Sequence, residues 1–176
     1  RTEVEKLFPL FLDVFKEIAL KDTSFKAIVP MAESVDSLLI EKKIAESEKE
    51  IGCGRIKIVR GEIEKLQALS RCCLAVTKPG TITLELALLG VPIIIAYKTS
   101  WLSYFIGKFV VRVKFMGLPN LLLNTSIYKE FIQRDCCKEK ILVEAERLLS
   151  ERPGRVDKDS FGPKVNQLRR TLSGGL

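Results

Sequence analysis

A chain of 176 residues, 47% apolar and 29% charged, has room for one domain with a real core and too little for two ordinary ones; its composition excludes intrinsic disorder. The formal charge of +7 suits phosphate-bearing partners, whether nucleotide, nucleic acid or anionic lipid. No histidine is present, which removes the commonest general base, the Ser-His-Asp and Cys-His arrangements and most catalytic zinc sites.

Apolar residues at 4, 7, 8, 11, 12, 15, 18 and 19 make a helical stripe over Val4 to Leu20. Thr2 and Glu3 supply a cap and a first-turn acid. Pro9 falls within the stripe and is expected to kink the helix or shift its start. These opening residues are charged and do not read as a signal peptide. Phe25 to Pro30 reads as a short strand, Ser34 to Ile51 as a charged surface helix, and Gly52 and Gly54 bracket a turn. Ile56 to Val59 is the next strand, Glu62 to Ser70 a short helix, Leu74 to Thr77 a strand and Thr81 to Leu89 a helix. Pro92 to Tyr97 does not alternate, so it reads as a strand buried on both faces.

Short apolar strands alternating with helices predict an α/β fold, a Rossmann-like parallel sheet with helices on both faces. Such a sheet binds ligands at the carboxyl ends of its strands, where the Lys78 to Thr81 turn falls. Beyond Tyr97, Trp101 to Val113 reads as an apolar or amphipathic helix and Leu118 to Leu122 as a loop. Ile127 to Ile132, Lys138 to Leu149 and Lys164 to Leu172 read as helices. The domain expected over residues 1–152 is followed by a C-terminal helix and tail over 153–176. No window reaches the ~18 uninterrupted apolar residues of a spanning helix. The cysteines Cys53, Cys72, Cys73, Cys136 and Cys137 are odd in number and hold no C-x-x-C, so free thiols are the simplest reading.

The segment Lys78-Pro79-Gly80-Thr81-Ile82-Thr83-Leu84-Glu85 concentrates the chemistry. A helix start leaves N–H groups without partners and carries partial positive charge. Gly80 lets a phosphate approach the backbone; Thr81 and Thr83 add hydroxyls. Thr81 and Glu85 share a helix face, so a carboxylate one turn behind a phosphate can reach a ribose diol. On spacing alone, the same residues equally describe a plain turn with a threonine cap and a solvated glutamate.

Between Glu85 and Glu130 there is no Asp or Glu, but there are Lys98, Lys108, Arg112, Lys114 and Lys129 and the aromatics Tyr97, Trp101, Tyr104, Phe105, Phe109, Phe115 and Tyr128. Aromatics with cations and no acids suit a helix lying in an anionic bilayer interface. That face would carry Trp101, Tyr104, Phe105, Lys108, Phe109 and Arg112. A core helix whose cations snorkel to water is the plainer reading. Nucleic-acid binding is disfavoured, because the cations are few and Leu, Ile and Val dominate. Asn120 reads as a turn residue or as a loop group able to bond a ligand.

Taken together, the Gly80-Thr81-Ile82-Thr83-Leu84-Glu85 run, the buried strand ending Ala96-Tyr97-Lys98, the Leu118-Pro119-Asn120-Leu121-Leu122 segment, Asp135-Cys136 and the opening Thr2 to Phe11 helix resemble the lipid-A-disaccharide synthase family. The resemblance covers nearly the whole chain and weakens from Gly154. It implies the donor-binding carboxyl half of an inverting glycosyltransferase of two Rossmann-like halves, the GT-B type. That family joins UDP-2,3-diacylglucosamine to 2,3-diacylglucosamine 1-phosphate, releasing UDP. By position, Gly80 and Thr81 would meet the diphosphate, Glu85 the ribose and Asn120 the donor near its phosphates or sugar. The family usually has serine before its Gly-Thr pair; here Lys78-Pro79 stands there, and Lys78 offers a charge to phosphate instead. The arginine of the family's phosphate loop falls at or just before Arg1.

The resemblance further implies a peripheral enzyme on the cytoplasmic face of the inner membrane, needing no cofactor and no metal. Its partners would be a UDP-sugar donor, an acylated glucosamine phosphate acceptor held by the amino half and an anionic membrane surface. Nucleic acid is not among them, and a homo-oligomer is left open. The catalytic residues are expected in the amino half, so this chain alone is expected to be an inactive hexosyltransferase half. The alternatives are another UDP-sugar glycosyltransferase or epimerase of envelope synthesis, or a non-catalytic module that binds a membrane surface.

Overall fold

The structure, a computed structural model, describes residues 2–31, 37–98, 114–151 and 162–173. The architecture is α/β and Rossmann-like, with every strand pair parallel and helices packed on the sheets. The chain forms two compact units, Arg1–Arg71 and Cys72–Leu176.

The first unit runs α1 (Thr2–Lys21), β1 (Ala27–Pro30), α2 (Leu38–Ile51), β2 (Ile56–Val59) and α3 (Glu62–Leu69). α1 begins before Pro9 and contains it, so the proline does not set the start of the helix. β1 and β2 pair from Ala27↔Ile56 to Pro30↔Val59. Leu12 and Ala19 of α1, Ile40, Ile44 and Ile51 of α2, Met31 and Ile56 form one buried cluster. The apolar stripe of α1 thus does what its period predicts. Gly52 at φ 95° ends α2, donating its N–H to the Glu48 carbonyl at 2.9 Å; that backbone region suits glycine. Glu48 Oε1 then accepts from the Arg55 and Ile56 amides at 2.8 and 3.0 Å, fastening the turn into β2.

The second unit runs β3 (Ala75–Thr77), α4 (Thr81–Leu88), β4 (Ile93–Tyr97), α5 (Leu118–Leu122), β5 (Lys129–Ile132), a short 3₁₀ turn (Gln133–Asp135), α6 (Lys138–Ser150) and α7 (Gly162–Ser173). The strand order is β3-β4-β5, with Thr77↔Ile95 on one side of β4 and Ile94↔Lys129 to Tyr97↔Ile132 on the other. Ile93 to Ala96 are buried, as the non-alternating run predicts for a central parallel strand. α4 packs on β3, β4, α5 and α7, and α6 packs on β4.

Two expectations are corrected here. Residues 129–132 form a strand, not a helix. The segment is too short to hold a helix by itself, while the open edge of β4 offers it a full ladder. Within it Lys129 is exposed, Phe131 is buried and Glu130 and Ile132 are half-buried. Residues 118–122 form a short helix instead of a loop. Pro119 sits in its first turn, where a missing N–H costs nothing. The expected helix over 101–113 lies outside the described residues.

Candidate functional site at the carboxyl edge of the three-stranded sheet

Three parallel strands end side by side, and each is followed by a cation. β3 ends at Thr77 and leads to exposed Lys78; β4 ends at Tyr97 and leads to exposed Lys98; β5 ends at Ile132 and leads through Gln133 to exposed Arg134. Tyr97 and Ile132 are register partners, so the ends of β4 and β5 are level. Ligand crevices of open parallel sheets lie at this edge.

The turn after β3 opens α4. Gly80 is its N-cap at φ 152°, ψ −174°, a region essentially restricted to glycine. A Cβ there would meet nothing within 4 Å. The glycine is therefore required by backbone conformation, and the space beside it is open. Thr81 is exposed at the first helical position. Thr83 is fully buried; its Oγ1 donates to the Gly80 carbonyl at 2.7 Å and its amide donates to the same oxygen at 3.1 Å. The Thr83 hydroxyl is thus spent on shaping the helix start. Glu85 is half-buried, with Oε2 shielded from solvent. Thr81 and Glu85 stand one helical turn apart.

Asn120 is fully buried in α5. Its Nδ2 donates to the Tyr128 carbonyl at 2.7 Å and to Glu130 Oε1 at 2.8 Å. Its Oδ1 accepts from the Ile127 and Tyr128 amides, both at 2.9 Å. Two donors and two acceptor sites are all that an asparagine side chain owns, and all four are engaged. Glu130 also accepts from the Met116 amide at 2.8 Å through Oε2 and from the Gly117 amide at 3.0 Å through Oε1. Gly117 fits so closely that an added Cβ would lie 2.2 Å from Ile95 Cδ1.

Glu130, which holds the Met116 and Gly117 amides and the Asn120 side chain, was not singled out because residues 127–132 read as a helix. No periodicity in the sequence marks it, since its place is set by the pairing of β5 with β4. Trp101, Tyr104, Phe105, Lys108, Phe109 and Arg112 lie outside the described residues. Among the described residues no cluster of His, Cys, Asp or Glu has the makings of a metal site. No described helix is long and apolar enough to cross a membrane. All five cysteines are free. Burial pushes the Cys72 thiol up to about 11 and raises those of Cys73 and Cys136. Behind the sheet, Arg147 and then Lys129 hold the buried Glu144 carboxyl below its ordinary range.

A family model described as lipid-A-disaccharide synthetase matches residues 1–172. Curated relatives named lipid-A-disaccharide synthase include one from Geobacter metallireducens, 31% identical over 99% of this chain and 43% of its own length. One from Anaeromyxobacter dehalogenans is 30% identical over 88% of this chain and 39% of its own. One from Francisella tularensis subsp. novicida is 32% identical over 86% and 38%. The chain therefore spans about two fifths of the length of these relatives.

Proposed function

The chain belongs to the lipid-A-disaccharide synthetase family, and from that premise we propose that it is the donor-binding half of a glycosyltransferase of lipid A synthesis. The donor is a UDP-sugar, UDP-2,3-diacylglucosamine, and the acceptor a 2,3-diacylglucosamine 1-phosphate held by an amino half of the GT-B pair. The observation that carries this reading is the start of α4: a glycine-only backbone with open space beside it, next to the ends of three parallel strands.

In this reading the amino end of α4 accepts the diphosphate at Gly80 and Thr81, where unsatisfied amides and the helix dipole favour negative charge. Lys78 adds charge, and Glu85, one turn further in, accepts from the ribose hydroxyls. Thr83 and Asn120 serve by holding backbone in place, since their side chains are hydrogen-bonded within the protein. Transfer itself needs groups outside this chain, so the chain binds donor without turning it over. The basic aromatic segment from Trp101 to Arg112 would rest on the anionic membrane that holds the acylated substrates. A hexosyltransferase of this kind uses no cofactor and no metal.

Calorimetric titration of the chain with UDP tests the reading. Binding is expected for the wild type and lost in Glu85→Ala and Gly80→Val. No heat from the wild type, or equal affinity in the variants, would leave α4 as an ordinary helix start.

A further inference from the structure

We propose that Glu130 is a positioning residue for the nucleotide site; the proposal rests on the donor reading above. Its carboxylate gathers three N–H groups from one short stretch of chain: the amides of Met116 and Gly117 and the Asn120 side chain. Asn120 in turn ties α5 to the Ile127-Tyr128 backbone that leads into β5. Glu130 itself lies in β5, opposite Ile95 of β4. The amino end of α5 is thereby pinned to the sheet at a site where Gly117 has no room to move toward Ile95.

The pinned helix is one of the surfaces against which α4 packs, and α7 packs on both. α4 carries Gly80, Thr81 and Glu85. A shift of α5 therefore reaches the helix whose start receives the diphosphate. A single carboxylate suits the task because both oxygens accept and neither donates. In a glutamine one oxygen becomes an amide nitrogen facing an N–H, so at least one fastening is lost. Hydrogen bonds to charged acceptors are the stronger kind, which favours a carboxylate here over a neutral side chain.

The test compares UDP affinity with clamp integrity in the same samples. UDP is titrated into the wild type, Glu130→Gln, Glu130→Asp and Glu144→Gln, with amide NMR spectra and thermal midpoints recorded for each. Glu144→Gln is the control: it removes a buried carboxylate of the same unit whose ion-pair partners are Lys129 and Arg147. Glu130→Gln is expected to move the Met116 and Gly117 amide resonances and to weaken UDP binding about tenfold, the scale of one lost charge-assisted hydrogen bond. Glu130→Asp keeps the charge and is expected to recover part of that loss. Glu144→Gln is expected to lower the midpoint and leave UDP affinity unchanged.

Equal affinity in Glu130→Gln and wild type would overturn the proposal, as would unmoved Met116 and Gly117 resonances. A loss in Glu144→Gln matching that in Glu130→Gln would reduce Glu130 to a stability role and overturn it too. If Glu130→Gln does not fold, Glu130→Asp carries the comparison on the same terms. Wild-type chain that binds no UDP would defeat the donor reading and this proposal with it, while the amide resonances would still report the clamp.

Discussion

Replacing Gly117 with alanine isolates a steric effect from a conformational one. Gly117 sits at φ −76°, ψ 129°, a backbone that alanine adopts freely. What forbids alanine is Ile95 Cδ1, 2.2 Å from the added Cβ; the next atoms are Glu130 Oε1 at 3.2 Å and Ile95 Cγ1 at 3.6 Å. Ile95 is fully buried in the central strand, so its methyl has nowhere easy to go. Overpacking of this kind costs about 1–3 kcal/mol, and for a chain of this size each kcal/mol lowers the midpoint by about 2–4 °C. Gly117→Ala is therefore expected to lose about 2–12 °C in thermal unfolding followed by circular dichroism. The second arm removes the clashing atom. Ile95→Val deletes Cδ1 and alone costs about 0.5–1.5 kcal/mol. In the double variant the clash is gone, so the two losses are expected to fall short of their sum by at least about 0.5 kcal/mol, the scale of coupling between touching residues. An unchanged midpoint in Gly117→Ala, or strictly additive losses in the pair, would refute the reasoning.

Other perturbations reach different parts of the account. Gly80→Val is expected to destabilise by about 1–3 kcal/mol despite the open space around it, because its φ of 152° is glycine territory; a midpoint equal to wild type would contradict this. Glu144 has a folded pKa held below its ordinary value of 4.5 by Arg147 and Lys129, so its stabilising contribution is present above that value and is lost as pH falls through the lower folded one. Acid unfolding curves of Glu144→Gln are expected to lack that part of the pH dependence. Alkylation followed by mass spectrometry at mildly alkaline pH is expected to label exposed Cys53 well before Cys72, whose burial pushes it to about 11; equal rates would count against the burial of Cys72.

Most of the fold was legible because its signals are local. The stripe of α1 and the unbroken apolar run of β4 report their own burial, and Gly52 and Gly54 mark a turn by their positive φ. The failures lie where tertiary pairing decides. Residues 129–132 carry a pattern too short to choose between helix and strand, and the open edge of β4 chose for them. That misreading hid Glu130, whose partners Met116, Gly117 and Asn120 lie 10 to 14 residues upstream. The Gly80 turn was visible as a helix start, but its glycine-only dihedrals were not. The full commitment of Asn120 to its own loop was equally invisible, since an asparagine between apolar residues reads the same whether it faces a ligand or a backbone. The grouping of the strands into a pair and a triplet, one in each unit, also depends on ladders that no periodicity encodes.

Amide chemical-shift mapping with UDP puts the claim about α4 to the sharpest trial. Titrating UDP into isotope-labelled chain is expected to move the resonances of Gly80, Thr81, Ile82 and Thr83 first and furthest. Saturable shifts confined to residues before Arg71, or none at all, would contradict it.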